Sequence, residues 1–179
     1  MTDSEKLKIY TAMTESTRKW VSVMDTKAGF LSALNAALLG FIWTGAKLLE
    51  GGGWQKGLAI SVTASSLVSL FMALHVVLPR ASLKKVFGRH TAYVDGFKPI
   101  SFYGFVATTY PIGEDHRFLD DIKKLDEAAL IDEALEQHFT ISHVVQIKSH
   151  WLAVAGVLLK ISLALTTAAL FSKVFFNGK

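Results

Sequence analysis

Three long apolar runs constrain what this chain can fold into. Residues 28–46 form a stretch of 19, interrupted only by Ser, Thr, Asn and Gly. Residues 57–78 form a second, whose only polar members are Ser, Thr and His75, and residues 151–176 form a third that contains Lys160 and Lys173. At a rise of about 1.5 Å per residue each run covers roughly 28 Å or more as a helix, close to the hydrocarbon thickness of a bilayer. A buried helix of a soluble protein explains one such run, but not three in a chain of 179 residues that is 51% hydrophobic. The first run is not expected to be a cleaved leader, because a polar segment of mixed charge precedes it. The expected fold class is therefore an all-α membrane protein with three transmembrane helices.

Orientation follows from the basic residues. Lys6, Lys8, Arg18, Lys19 and Lys27 precede the first run, and Arg80, Lys84, Lys85 and Arg89 directly follow the second. The loop between them offers only Lys47 and Lys56 around Gly51, Gly52 and Gly53. This places 1–27 as a cytoplasmic N-terminal helix, 28–46 as the first span, 47–56 as a periplasmic loop and 57–78 as the second span. A cytoplasmic sensor segment, 79–150, follows, then the third span, 151–176, and a periplasmic tail, 177–179. The chain is expected in a bacterial inner membrane with its N-terminus inside and its C-terminus outside.

The cytoplasmic parts read as long helices that continue into their spans. No Pro or Gly precedes Gly29, and Ile9, Met13, Trp20 and Met24 recur at helical spacing. Asp120 to His150 also lacks Pro and Gly, and Ile131, Leu135, His138, Ser142, Val145, Ser149 and Leu152 follow a heptad-like step. These two helices are expected to pack on each other through amphipathic faces. Between them, 92–94 and 100–106 read as short strands flanking Asp95 and Gly96, a possible β-hairpin.

The absences narrow the chemistry. There is no cysteine, which excludes disulfides, thiol catalysis and cysteine-ligated zinc. No phosphate-cradling glycine loop, H-E-x-x-H or G-x-S-x-G occurs, and His138, His143 and His150 do not share one metal-binding face. The chain is expected to be no enzyme, to carry no metal and no cofactor. The nine acids of 114–136 read as a solvated face, and with that segment following the short basic cluster, nucleic acid is not an expected partner.

Several residues remain that carry more than one reading. Ser32, Ala36 and Gly40 fall every four residues on the first span, a helix-packing stripe either within one chain or between subunits. Lys160 lies within the third span, where an ammonium must snorkel to the interface or line a pore or interhelical seam. Asn35 is a second intramembrane polar group, and an interhelical hydrogen bond would explain it. Arg80, Lys84, Lys85 and Arg89 serve either as the positive-inside flank against lipid headgroups or as contacts to a phosphate-bearing ligand.

The chain resembles the membrane effectors of the Pycsar antiphage systems, the pyrimidine-cyclase-coupled family. Asp25-Thr-Lys27-Ala-Gly-Phe-Leu31, followed by Leu34-Asn35-Ala-Ala-Leu-Leu-Gly40, is similar to the family's lead-in to its first span. Ser101-Phe-Tyr-Gly104 with Tyr110 resembles its aromatic-glycine motif, and His138, Ile141, Val145, Lys148 and Leu152 resemble the pattern leading into its last span. The resemblance implies activation by cyclic CMP or cyclic UMP, made by a cognate cyclase on phage infection. It further implies impairment of the inner membrane and death or arrest of the cell; the leading reading has the protein act as a homo-oligomer. No cyclic-nucleotide-binding β-roll is recognisable, so a pocket would be built from the cytoplasmic helices and the central segment. In that setting Arg80, Lys84, Lys85 and Arg89 would meet the phosphate, and Tyr103, Tyr110 or Trp20 would stack on the base. Asp25, Lys27, His138 and Lys148 would transmit the signal, the first two and Lys148 from a juxtamembrane layer. The competing reading is a small membrane anchor whose cytoplasmic helices dock another protein.

Overall fold

A capping box opens the first helix. The Thr2 hydroxyl accepts from the Glu5 N–H at 3.3 Å while the Thr2 N–H donates to Glu5 Oε2 at 2.8 Å, so two backbone donors at the helix start are satisfied reciprocally. From there α1 runs unbroken over Asp3–Gly40. It closes in a π-helical turn, Phe41–Gly45, sealed by the Ala46 N–H donating to the Phe41 carbonyl at 2.7 Å. The computed structural model describes residues 2–46, 48, 52–78, 106–107 and 109–176.

Helix α2 spans Gly53–Val77 and stops at Leu78, whose backbone is extended as the residue before a proline favours. Gly113 takes φ 101°, and the Glu114 N–H closes the turn onto the Pro111 carbonyl at 3.0 Å. The short helix α3, Asp115–Lys123, follows, and α4 then covers Glu127–Phe176, a single helix of 50 residues.

One expectation needs correction here, and one falls almost wholly outside the described residues. No single helix runs through from Asp120: the chain breaks between α3 and α4, because the Asp126 carboxylate caps the Ala129 N–H at 2.8 Å and so favours a new helix start. The β-hairpin over 92–106 lies outside the described residues except for Val106, which is helical and accepts from the Tyr110 N–H.

The chain divides into two units, one of Met1–Val21 with Arg80–Val145, the other of Ser22–Pro79 with Gln146–Lys179. The first, polar unit holds the start of α1, α3 and the start of α4. The second, apolar unit holds the remainder of α1, all of α2 and the remainder of α4, and α1 and α4 each pass from one unit to the other without a helix break.

In the apolar unit the buried positions step by threes and fours. On α2 they are Gln55, Ala59, Val62, Ser66, Ser69, Ala73 and Val76, and on α4 Ala155, Leu159, Ser162, Thr166 and Ala169. Ala28 and Asn35 on α1 and Ile42 in the π turn that closes it recur every seven residues. This is the spacing that keeps one seam facing a partner helix along its length. The buried side chains are mostly small or polar, whereas Phe30, Phe71, Ile60 and Phe171 point outward and are exposed. At most 28% of the residues in the most apolar stretch of each of these helices is buried. A helix surface apolar outward and polar inward is suited to lipid as solvent. Among the described residues three helices are long and apolar enough to cross a membrane, and the protein is an all-α membrane protein.

Candidate functional site: polar contacts in the spans and in the polar unit

Asn35 is fully buried on α1. Its amide donates to the Leu31 carbonyl of its own helix at 2.9 Å and to Ser69 Oγ of α2 at 2.8 Å. Ser69 in turn donates to the Ala155 carbonyl of α4 at 2.8 Å. One relay therefore joins all three spans. A second link lies between Ser65 Oγ and Ser162 Oγ, 2.6 Å apart. Asn35 Oδ1 and Ser66 Oγ are buried without a partner among the described residues.

Charged contacts mark both ends of the apolar unit. Toward one end, Lys148 of α4 forms an ion pair with Asp25 of α1, the lysine well shielded and the carboxylate half-buried. His75 of α2 stands edge-on to Trp151, with ring centroids 5.5 Å apart. At the other end Lys173 donates to the Ala46 carbonyl at 2.7 Å. Ala46 sits just past the π turn, where carbonyls lack helical partners and attract a cation.

In the polar unit α1 meets α4 through hydrogen bonds rather than through an apolar face. Thr14 Oγ1 lies 3.1 Å from the Ala134 carbonyl, Thr17 Oγ1 lies 3.3 Å from His138 Nδ1, and Arg18 Nη2 donates to Gln137 Oε1 at 2.8 Å. Gln137 also donates to Glu133 Oε1 at 3.3 Å, and Glu133 is only 5% exposed. Beside these contacts runs a groove of about 310 Å³ lined by Thr11, Glu15, Arg18, Leu130, Glu133 and Gln137, among others. That volume is at the lower end of the range for small-molecule sites.

The structure treats the sequence-derived candidates unequally. It brings Asp25 and Lys148 together and ties His138 to Thr17, but Lys27 is exposed with no partner among the described residues. Tyr110 is only 7% exposed. Its hydroxyl donates to Asp121 at 2.9 Å, Phe118 packs edge-on against its ring, and the Arg117 guanidinium lies 5.8 Å from the ring centroid. That ring is occupied within the chain, whereas Trp20 is exposed. Arg80, Lys84, Lys85, Arg89 and Tyr103 lie outside the described residues. Asn35 makes the expected interhelical bond. Lys160 is exposed with no partner among the described residues. Ser32 is half-buried and donates to the Ala28 carbonyl, while Ala36 and Gly40 are exposed.

The heptad-like stripe through Ile131 and Leu135 is not the contact face: Leu135 is 40% exposed, and the bonds to α1 fall on Ala134, Gln137 and His138. Likewise Ile9, Met13 and Trp20 are exposed while Thr14 is buried. The sequence reading also missed Ser65, Ser69 and Ser162 as a polar relay. Their signal was present, since Ser162 and Thr166 repeat on the third run at the spacing of Ser65 and Ser69 on the second.

Asp25, Asn35 and Lys148 are thus all placed in contacts between helices, and residues 9–173 of the chain match a family described as the Pycsar effector protein domain. The chain belongs to the Pycsar effector family. It is thus a membrane protein of antiviral defence. For this Pycsar effector, comparison with the curated proteins and with the solved structures gave no match. The family match reaches from α1 in the polar unit to Lys173 in the last turn of α4, so it takes in the Asp25–Lys148 pair, the Asn35 relay and all of the groove but Leu7.

Proposed function

We propose that this Pycsar effector is a non-enzymatic, nucleotide-gated protein of the bacterial inner membrane. Cyclic CMP or cyclic UMP from a cognate cyclase binds the polar unit, and the protein then impairs the membrane and kills or arrests the infected cell. The observation that carries this reading is that α1 and α4 pair in the polar unit and are themselves two of the three spans. A ligand that favours one pairing of these helices over another acts directly on span-forming elements. Its leverage is the difference between its affinities for the two arrangements.

The groove beside Arg18 suits such a ligand. A cyclic mononucleotide carries one negative charge, and Arg18 has N–H groups beyond the one given to Gln137. Gln137, on the same wall of the groove, offers an amide for a base edge. The basic cluster from Arg80 to Arg89 remains a second source of phosphate contacts.

A docking role for the polar unit is the competing proposal, favoured by the exposed Ile9, Met13 and Trp20. Binding separates the two. Full-length protein in lipid nanodiscs should bind cyclic CMP or cyclic UMP in preference to cyclic AMP and cyclic GMP, and Arg18→Ala should weaken that binding about tenfold, the worth of one charge-assisted hydrogen bond. Absence of binding to every cyclic mononucleotide would leave the docking role standing.

A further inference from the structure

Lys160 stands on α4 between two lysines that the structure ties to opposite ends of the span. Lys148 pairs with Asp25 and Lys173 donates to the Ala46 carbonyl. Lys160 is 12 residues from the first and 13 from the second, so about 18 to 20 Å of helix axis separates it from each. The span itself begins nine residues earlier, at Trp151, about 14 Å away, and a four-carbon stem covers only part of that, so snorkelling leaves this ammonium short of either interface.

Among the described residues of one chain nothing neutralises it. Ala155, Leu159 and Ser162 turn inward on α4 while Lys160 is exposed, and it has no partner among the described residues. The runs 28–46, 57–78 and 151–176 contain no Asp or Glu, so another copy of the chain brings it no carboxylate within the bilayer. A lone ammonium at mid-depth that neither pairs nor snorkels must face water. Lipid supplies none, and a single chain turns this face outward, so the water has to be enclosed by further copies.

We propose that several copies of the chain assemble with the Lys160 face of α4 turned inward around a water column, and that Lys160 lines an anion-conducting pore. Gly156 and Ala164 lie one turn to either side of it, and a Cβ built at Gly156 meets nothing within 4 Å, so the wall beside the ammonium is left wide. A ring of lysines favours anions over cations. The proposal rests on the membrane-impairing reading above and supplies its physical form.

The chain contains no cysteine, so Lys160→Cys introduces a single thiol into the full-length protein. In isolated membranes this thiol is exposed to a membrane-impermeant, negatively charged methanethiosulfonate, with and without cyclic CMP or cyclic UMP. Ile161→Cys, at the same depth on a neighbouring exposed face, serves as the lipid control. Only a hydrated thiolate reacts, so modification at position 160 should be at least about tenfold faster than at 161. Equal rates at the two positions, or no modification at 160 under any condition, overturn the pore. Fast modification at 160 that ignores both nucleotides keeps the pore and removes the gating. Nucleotide-triggered toxicity with position 160 silent does the reverse.

Selectivity gives a second measurement. Wild-type protein reconstituted across a potassium chloride gradient should show a reversal potential of the sign set by chloride. Lys160→Glu should invert that sign, and Lys160→Gln, which inserts without a charge, should abolish the preference. A chloride-set potential unchanged in both variants overturns the pore-lining role.

Discussion

Asn35 uses both amide protons inside the protein, one on its own helix and one on Ser69. Replacement by Leu removes the interhelical bond but leaves Ser69 bonded to the Ala155 carbonyl. Interhelical hydrogen bonds in membranes contribute about 0.6 to 2 kcal/mol. Asn35→Leu should therefore lower the thermal stability of the detergent-solubilised protein by about 1 kcal/mol without preventing insertion. Asp25 and Lys148 form a sharper case. The pair is neither fully exposed nor fully buried, so loss of one partner should cost about 2 kcal/mol, between the surface and buried limits. Lys148→Ala is expected to destabilise by that amount, and Lys27→Ala, which breaks no contact among the described residues, by less than about 0.5 kcal/mol. The double variant Asp25→Asn, Lys148→Met should cost less than the sum of its singles, because it leaves no orphaned charge. Additive losses in a thermal-melt cycle would mean that the two groups do not interact in the folded protein.

Among the elements, those shaped by lipid were legible in the sequence and those shaped by hydrogen bonds were not. The three runs announce themselves because a span must be apolar for its whole length. Their inward faces do not, since hydrophobicity gives no periodic signal when lipid-facing and partner-facing sides are both apolar. Ser65, Ser69 and Ser162 are therefore not marked as contacts by the hydrophobic pattern. In the polar unit the expected stripe through Ile131 and Leu135 was out of phase for a related reason: Thr14, Thr17 and Arg18 bond α4 through Ala134, Gln137 and His138, so apolar periodicity does not report the seam. The break between α3 and α4 needed only the Asp126 cap, which is weaker punctuation than Pro or Gly. The small-residue stripe of α1 can now be divided. Gly40 has open space where a Cβ would stand, so Gly40→Leu should leave the monomer fold unchanged and reduce only the size of the oligomer in detergent. Ser162→Leu, by contrast, forces a larger side chain into a buried position and should destabilise the fold by about 1 to 3 kcal/mol. An unchanged oligomer for Gly40→Leu would remove that stripe from any subunit contact.

At the scale of the whole molecule the proposed function requires one orientation. The polar unit must face the cytoplasm, where the cyclase product accumulates, and three spans then place the C-terminus outside. A reporter inserted near Glu127 should read as cytoplasmic and one fused after Lys179 as periplasmic. The same reporter signal at both sites would contradict a three-span topology. In the proposed function a cyclic pyrimidine nucleotide acting on the polar unit opens the membrane. Release of a small entrapped dye from liposomes containing only the purified full-length protein tests it most directly. Release is expected when cyclic CMP or cyclic UMP is added on the side of the polar unit, and not with cyclic AMP, cyclic GMP or buffer. Dye retained with every nucleotide, or released equally by all of them, would contradict the account.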